Sequence, residues 1–437
     1  MSMQSARTWS LATAGLLATA LMLGAPVSSA QESSLDASRA AAKAAPASLD
    51  ASLALGRALR RAGRGSEALA ELRRGATLFP ARAGDGAVRV QWEISRAYVD
   101  QRDFGQAMVA CRIVGAQTGG AAAGHACAAE AHLLWRRASE ALLETAPALA
   151  AGNKSYEAKV AEARALALQG KDADAEHGFR EAISWKDDAP DAHLALGRFL
   201  AAVGKTDAAL VELRRAVALD ATGPEAAYEL GRALPSGPDA LAALERAVRE
   251  RPTYTEAWLK LAELQLSLGH IPEARKAVEA ALRGTPQDAT AHVVLGRVDL
   301  AEGKNDDALT ESRTALGILA NSAPAKLLAA DAYAAKGEID LALEQFQAAS
   351  AFDHTDPTPL VHAADACRKA GRNTSARAFG DKATKDFPDW GPGWVAFGEA
   401  LLADKEPALA KIALAKALQS KGPVDQDAVR AKLGTIK

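Results

Sequence analysis

Residues 256–287 read EAWLKLAELQLSLGHIPEARKAVEAALRGTPQ, a stretch of two helical segments joined by a short turn. Gly269 stands at the end of the first segment, where glycine commonly ends a helix. Glu273 opens the second segment, as is typical of acidic residues near a helix N-terminus. Pro286 closes the stretch because proline cannot continue a helix. The stretch therefore predicts a pair of antiparallel helices.

Small residues recur through the chain at the offsets of this stretch, in steps of 34 residues. The first helix of each repeat has one at Gly56, Ser95, Ala129, Ala163, Gly197, Gly231, Ala262, Gly296, Ala330, Ala364 and Gly398. The second helix has one at Ala68, Ala107, Ala141, Ala175, Ala209, Ala240, Ala274, Ala308, Ala342, Ala376 and Ala410. Only two steps differ from 34, with 39 residues after Gly56 and 31 after Gly231. Such a period indicates a repeat architecture.

Numbered within each repeat, these small residues occupy positions 8 and 20. Two antiparallel helices approach closely only where small side chains meet at their crossing. Larger apolar residues occupy positions 7 and 24, at Leu55, Leu196, Leu230, Leu261 and Leu295 and at Leu72, Phe179, Leu213, Leu244, Val278, Phe346 and Leu414. This alternation of sizes predicts a core that continues from one repeat to the next.

The pattern resembles the tetratricopeptide repeat family, which the first stretch matches at Trp258, Leu261, Ala262, Ala274, Val278, Ala281 and Pro286. The resemblance implies an all-α, right-handed superhelical solenoid of about eleven helix pairs over residues 49–420. We place repeats from about residues 49, 88, 122, 156, 190, 224, 255, 289, 323, 357 and 391, with a capping helix and tail at 421–437. The repeat near 122 is degenerate and has no glycine turn, and the repeat near 224 is three residues short.

The first 30 residues differ from the rest of the chain. Arg7 precedes an apolar run from Leu11 to Ala25, and small residues end at Ala30, a pattern typical of a signal peptide. The run is shorter than a bilayer span, although an uncleaved anchor is the alternative. We therefore expect an exported, bacterial-type member of the family, periplasmic or secreted, with cleavage after Ala30. The Ala- and Ser-rich leader at 31–48 is either flexible or a short helix.

The bulk charge argues against nucleic acid as a partner. Lysine and arginine number 52 against 54 acidic residues, so the chain has no general positive field. The sequence also has no phosphate-binding loop, zinc-protease pair or nucleophile elbow. His125, Cys127 and His132 form the nearest approach to a ligand cluster, and we interpret them as ordinary polar positions of a degenerate repeat. We therefore expect no enzyme activity, no cofactor and no metal.

The three cysteines are too few for a disulfide framework. The family fold places Cys111, at position 24 of one repeat, beside Cys127 in the following helix. The two cysteines are then either bridged or two separate buried thiols. Cys367 is interpreted as a small core residue.

In this family the first helices line a concave groove, into which positions 2, 5, 9 and 12 point. Position 9 is basic in the first half, at Arg57, Arg96, Arg164, Arg198 and Arg232, and then holds Glu263, Arg297, Asp331, Asp365 and Glu399. Position 5 offers Trp92 and Tyr228 as anchors. Carboxylates at position 2, namely Asp50, Glu157, Asp191, Glu225 and Glu256, give a second interpretation, in which the arginines pair with carboxylates on the same or adjacent helices.

Export and a helical groove together suggest a non-catalytic scaffold or adaptor of a cell-envelope assembly. The partner is expected to be an extended protein segment, or a subunit of a secretion, motility, pilus or polysaccharide machine. A glycan- or peptidoglycan-binding module is the alternative, although the groove has few aromatic residues for it.

Overall fold

The computed structural model describes residues 29–78, 85–116, 121–150, 153–220 and 223–436. These residues form 24 α-helices and no strand, with one isolated bridge between Trp390 and Lys421. The predicted all-α fold of repeated helix pairs is thus confirmed. The signal-peptide prediction lies on residues 1–28, outside the described part of the chain, apart from its last two positions. No helix in the described ranges is long and apolar enough to cross a membrane.

A single helix precedes the pairs, which then follow one another along the chain. It is α1 (Ser29–Ala44). The first six pairs are α2 (Leu49–Arg61) and α3 (Gly65–Leu78), α4 (Asp85–Asp100) and α5 (Phe104–Gly115), α6 (Ala121–Leu134) and α7 (Ala138–Leu149), α8 (Tyr156–Leu168) and α9 (Asp172–Trp185), α10 (Pro190–Ala202) and α11 (Thr206–Leu219), α12 (Pro224–Ala233) and α13 (Pro238–Glu250).

The next five pairs are α14 (Thr255–Ser267) and α15 (Ile271–Gly284), α16 (Ala289–Ala301) and α17 (Asn305–Ile318), α18 (Ala323–Ala335) and α19 (Ile339–Phe352), α20 (Thr358–Lys369) and α21 (Asn373–Asp386), α22 (Gly391–Ala403) and α23 (Pro407–Ala417). A last helix, α24 (Gln426–Thr435), ends the described chain. The molecule divides into two compact units between Leu261 and Ala262, which we call the N-terminal unit and the C-terminal unit.

The small residue at position 8 packs against the large residue at position 24. A Cβ atom on Gly197 would lie 2.7 Å from Leu213 Cγ, and one on Gly398 would lie 2.7 Å from Leu414 Cγ. All eleven alanines at position 20 are at most 1% exposed. The crossing therefore has no room for a larger side chain at position 20, nor at position 8 where glycine faces a leucine, and this close approach sets the geometry of the pairs.

A second repeated contact ties position 4 to the preceding turn. His193 Nδ1 lies 2.7 Å from Glu212 Oε2, and its Nε2 lies 3.0 Å from the Asp187 carbonyl oxygen. Trp258 Nε1 donates to the Pro252 carbonyl at 2.8 Å. The same contacts recur at His292 with Glu311 and Pro286, and at Trp394 with Pro388. Trp258 and Trp394 are half-buried, and the indole N–H of each donates to this carbonyl.

Most helix pairs turn through a glycine with positive φ, as at Gly170, Gly204, Gly269, Gly303, Gly337 and Gly371. Three other turns place a side chain there, at Arg102 (φ 59°), Arg136 (φ 57°) and Lys405 (φ 62°). Arg136 lies in the repeat with no glycine turn. That repeat therefore keeps the same turn geometry at the cost of backbone strain.

Replacing Lys405 with glycine is expected to stabilise the protein by about 1 kcal/mol, because glycine adopts positive φ without a Cβ clash. Lys405 is exposed and forms no ion pair with any residue that the structure describes, so little is lost with its side chain. The measurement is the urea midpoint of Lys405→Gly against Lys405→Ala, which removes the side chain but keeps the strain. An equal midpoint for the two variants would contradict the argument.

A disulfide joins the second and third repeats. Cys111 in α5 and Cys127 in α6 have an S–S distance of 1.98 Å and a Cα–Cα distance of 5.4 Å. Ser95 Oγ lies 3.1 Å from Cys111 Sγ. Cys367 remains a free buried thiol, and its burial raises the pKa. The bridge closes a loop of 16 residues, which includes four that lie outside the described ranges.

The Cys111→Ala/Cys127→Ala variant is expected to lose about 3 kcal/mol of stability, the value typical of a loop of this length. Thermal unfolding with and without reductant is the measurement. Reductant should lower the melting temperature of the wild-type chain and of Cys367→Ala, but not that of the double variant. A wild-type chain that does not respond to reductant would exclude a stabilising bridge.

The N-terminal unit begins with a helix that packs on the first repeat. Helix α1 covers the first repeat, where Leu35 and Ala42 are buried in a cluster with Leu55, Leu59 and Ala68. The predicted leader is thus helical from residue 31 to residue 44, and α1 runs through the predicted cleavage point after Ala30.

The first repeat also meets the fifth and the sixth. Arg61 Nη2 lies 2.6 Å from Asp220 Oδ2, and Arg251 Nε donates to the Arg61 carbonyl oxygen at 2.9 Å. Thr253 lies directly against Gly63, where a Cβ atom would be 2.1 Å from its hydroxyl oxygen. These contacts join residues up to 190 positions apart and complete a wall around the first helices of this unit.

Candidate functional site: a cavity in the N-terminal unit

The first helices of the N-terminal unit surround a cavity of about 1000 Å³. Helices α2, α4, α6, α8, α10 and α12 supply most of its lining, because the same face of each first helix points inward. Arg61, Asp220 and Arg251 also line it, so the contact of the first repeat with the fifth and sixth forms part of the wall. A cavity of this size accommodates a short peptide segment or a small molecule.

Five of the residues predicted for the groove line this cavity: Arg57, Trp92, Arg96, Arg164 and Arg198. Tyr228 and Arg232 do not line it. Three others, Asp331, Asp365 and Glu399, line a separate cavity within the C-terminal unit, whereas Arg297 is exposed and lines neither of the two. The structure therefore brings four arginines of position 9 together in one cavity and three acidic residues of that position together in another.

Charge in the N-terminal cavity is balanced. Its lining contains eight arginines, Arg57, Arg60, Arg61, Arg96, Arg136, Arg164, Arg198 and Arg251. It also contains eight carboxylates, Glu93, Asp100, Glu130, Glu157, Asp172, Asp191, Asp220 and Glu225, and no lysine. The arginine row at position 9 is thus not a basic surface, because carboxylates at other positions of the repeats face it.

Glu93 is the centre of the largest ion-pair network in the cavity. Its carboxylate is 3% exposed and lies 2.8 Å from Arg57 Nε and 2.8 Å from Arg60 Nη1. Arg96 Nη1 is 3.7 Å away. Arg60 also reaches Asp100 at 2.7 Å. One buried carboxylate therefore holds three arginines from two helices in fixed positions.

Burial alone would raise the pKa of Glu93, but Arg60, Arg96 and Arg57 hold it below its ordinary value. Burial likewise opposes the charge of Arg96, but Glu130, Asp191 and Glu93 keep its pKa raised. Sequence reasoning missed Glu93 because it occupies position 6, outside the expected groove positions. Its spacing of three residues before Arg96 was the available signal.

Two further arginines of position 9 are paired with one carboxylate. Arg198 Nε donates to Glu229 Oε1 at 2.9 Å, and Arg232 Nη1 donates to Glu229 Oε2 at 2.8 Å. The Arg232 guanidinium also lies over the Tyr228 ring, 5.6 Å from its centroid, and that ring packs 5.0 Å from Tyr254. The second interpretation of the arginine row is pairing with nearby carboxylates. Such pairs are formed by Arg57, Arg96, Arg198 and Arg232.

Arg164 differs from these arginines. It is half-buried in α8 and forms no hydrogen bond or ion pair with any residue in the described ranges. Burial and the nearby Arg198 lower the pKa of Arg164, Glu130 and Asp191 raise it, and the net effect is a lowering. A guanidinium has five N–H donors in a planar fork that matches a carboxylate. Arg164 is thus the member of the row at position 9 within this cavity that is placed to receive an anionic group from a ligand.

The aromatic residues of the cavity are engaged in the structure. Trp92 is half-buried and packs against the disulfide pair and Ala128. The Arg96 guanidinium covers the Trp92 ring at 5.8 Å from its centroid. Phe179 and Phe199 are 1% and 7% exposed and belong to the core. Lys186 Nζ lies over the Tyr156 ring, 4.5 Å from its centroid. These rings therefore shape the wall rather than offer open stacking faces.

The acidic residues of the C-terminal unit also have partners. Asp331 Oδ1 lies 2.8 Å from His362 Nδ1. Asp365 pairs with Arg368 and, at 2.7 Å, with Lys369. Glu399 contacts Lys432 of α24, the last helix. The predicted acidic row is thus neutralised from neighbouring positions of the same helix or from the following helices.

The positions nearest to a metal cluster in the sequence have other roles. Cys127 is bridged to Cys111, and His125 Nδ1 lies 2.7 Å from Glu144 Oε2. No group of three His, Cys, Asp or Glu side chains in the described ranges is arranged to hold a metal ion.

Residues 237–297 match the family model of the tetratricopeptide repeat. No curated protein matches the chain. The family match supports the resemblance drawn from the repeat pattern. Tetratricopeptide repeats generally form non-catalytic scaffolds for protein–protein interaction.

Several solved structures resemble the chain at low similarity. Yeast Tom70 is 12% identical, with a TM-score of 0.48 over 89% of this chain and 95% of that one. A tetratricopeptide repeat protein from Parabacteroides merdae ATCC 43184 is 17% identical, with a TM-score of 0.44 over 64% and 98%. MamA is 25% identical, with a TM-score of 0.34 over 36% and 93%. With TM-scores below 0.5, these likenesses carry no argument about function.

Replacing Glu93 with glutamine is expected to destabilise the N-terminal unit by about 3 kcal/mol at pH 7, because it leaves three arginines without their shared carboxylate. The folded-state pKa of Glu93 is lowered. Its stabilising contribution is therefore present above pH about 4.3 and lost as the pH falls through the lower folded value.

Chemical denaturation between pH 3 and pH 7 checks this. The difference between the wild-type chain and Glu93→Gln should shrink toward pH 3. Glu67→Gln is the matched control, since Glu67 is exposed and its pair with Arg64 is worth under about 1 kcal/mol. Equal effects of the two substitutions would contradict a central role for Glu93.

Proposed function

We propose that this protein is an exported, non-catalytic scaffold that binds an extended segment of a partner protein in the cavity of the N-terminal unit. The observation that carries the proposal is Arg164, a half-buried arginine with no ion-pair partner in the described ranges, on the wall of a large cavity. Leaving such a charge unpaired costs free energy, and a ligand carboxylate would recover it. The other arginines of position 9 in the cavity, Arg57, Arg96 and Arg198, are already paired with carboxylates.

The paired charges define the chemistry of the partner. Because the lining is neutral overall, a strongly acidic or strongly basic segment would leave charges unmatched. A segment with one carboxylate directed to Arg164 and otherwise small or polar side chains fits the cavity. Partner choice would then depend on shape and on one charged contact.

Two observations support export. Residues 1–30 have the pattern of a signal peptide. Cys111 and Cys127 are bridged, and disulfides persist mainly in oxidising compartments such as the periplasm. In such a compartment, a binding scaffold without catalytic groups suits the assembly of envelope machinery for secretion, motility, pili or polysaccharide. The glycan-binding alternative would need open aromatic faces, whereas Trp92 is covered by Arg96.

Affinity capture with the tagged full-length protein, expressed in its native host, tests the binding site. Arg164→Gln is expected to reduce recovery of the bound envelope protein at least tenfold, as loss of a charge-assisted contact implies. The matched control is Arg232→Gln, which changes an arginine outside the cavity and should leave recovery within about twofold. Equal recovery by both variants would exclude the cavity as the binding site.

The same samples test export and folding. Intact-mass measurement should find Gln31 at the N-terminus in the periplasmic or secreted fraction, and an uncleaved chain in the cytoplasm would contradict export. Arg164→Gln should be at least as stable as the wild-type chain, because no ion pair is lost and an unpaired half-buried charge is removed. A loss of binding therefore cannot be attributed to unfolding.

A further inference from the structure

The last helix, α24, covers the groove of the C-terminal unit. Pro423, Val424 and Val429 line a cavity of about 1010 Å³ together with Val361 of α20 and Val395 of α22. Lys432 contacts Glu399, the position 9 residue of the last repeat. The tail, predicted to cap the final hydrophobic face, thus also lies across the first helices, where a partner of this family would be expected to bind.

The chain leading to α24 is firmly anchored. Lys421 N donates to the Asp389 carbonyl oxygen at 2.7 Å, and Gly391 N donates to the Lys421 carbonyl oxygen at 2.6 Å. Val424 packs on Gly391, where a Cβ atom would be only 2.4 Å from Val424 Cγ2. The segment therefore stays in place up to the N-cap of α24.

The helix itself is loosely held. Val429 is the buried residue of its ten, at 3% exposed. The ion pair of Lys432 with Glu399 is partly exposed, with side chains 43% and 22% accessible. A helix of this length is marginal in water unless its apolar face is packed. One buried valine, the half-buried Leu433 and one partly exposed ion pair are few contacts for it, so α24 belongs to the least stable part of this unit.

The groove beneath α24 is larger than its occupant. Five alanines line it, Ala334, Ala335, Ala366, Ala370 and Ala396, and their short side chains leave space beside Val429. The carboxylate of Glu399 is shared between Lys432 and, at 3.6 Å, Arg368. A larger aliphatic side chain in the position of Val429 would therefore fill the groove better while keeping the contact with Glu399.

We propose that α24 is a displaceable internal occupant of a docking groove formed by α18, α20 and α22. The external ligand is a short amphipathic helix of a partner protein, with an aliphatic residue and, three positions later, a lysine or arginine. That pattern copies Val429 and Lys432, which share one face of α24. The partner binds after α24 swings away from its anchored base. This groove lies within the C-terminal unit, so the proposal does not depend on the N-terminal cavity.

A peptide of residues 423–436 supplies the probe, with its binding followed by fluorescence anisotropy. The full-length Val429→Asp/Lys432→Glu variant, in which α24 no longer fits, should bind the peptide at least tenfold more tightly than the wild-type chain, where α24 competes at high effective concentration. Adding Glu399→Gln to that variant should weaken binding again. Equal affinity of the wild-type chain and the double variant would overturn the proposal.

The peptide also provides the matched controls. A peptide carrying Val429→Leu should bind the double variant more tightly than the unmodified peptide, and one carrying Val429→Asp should not bind. Equal binding of the unmodified and Val429→Asp peptides would overturn the proposed mode of docking.

Hydrogen exchange on the wild-type chain gives a test that needs no variant. The amides of 426–435 should exchange at least a hundredfold faster than those of 391–403. Equal protection of the two helices would show that α24 is a fixed cap and would overturn the proposal.

Discussion

The close contact between a small residue at position 8 and a large residue at position 24 underlies the rest of this structure. At Gly197 and Leu213 the two helices approach so closely that even one added methyl group would lie 2.7 Å from the leucine. Together with the alanine at position 20, which is buried in all eleven repeats, this packing fixes how the pairs cross, and the first helices present the same face in successive repeats. The alignment of position 9 into a row follows from this packing rather than from any interaction among the arginines.

Contacts outside the repeat pattern divide the inward face of the first helices into two sites, one in each unit. In the N-terminal unit, Arg61 pairs with Asp220 and Arg251 reaches the Arg61 carbonyl, which completes the cavity wall. In the C-terminal unit, α24 extends over the first helices through Val429 and Lys432. The repeated helix pairs form the inward face, and the contacts of Arg61 and of α24, which do not repeat, determine what can bind there.

Ion pairs also determine which of the arginines at position 9 can receive a ligand. The row of arginines suggests a strong positive field, but Glu93, Glu130 and Glu229 neutralise most of it. The arginines at position 9 of different repeats differ in whether a carboxylate of this chain already pairs with them. Arg198 is paired with Glu229, whereas Arg164 has no ion pair in the described ranges, although both occupy position 9. A binding site in such a scaffold is therefore better recognised by an unpaired charge than by the sign of a row.

The sequence by itself determined the helical class, the helix pairs and the alanines of their crossings, because these contacts recur at fixed short separations. It also showed that the repeat near 122 has no glycine turn, but not that Arg136 adopts positive φ in its place. Only the tertiary structure decided the contacts that complete the wall of the N-terminal cavity. Arg61 and Asp220 are 159 residues apart, and no repeat period relates them. The same holds for Glu93 and α24, whose roles depend on which helix faces them in space. Repetitive contacts are encoded locally, whereas the closure of each cavity and the balance of its charges arise only when distant helices meet.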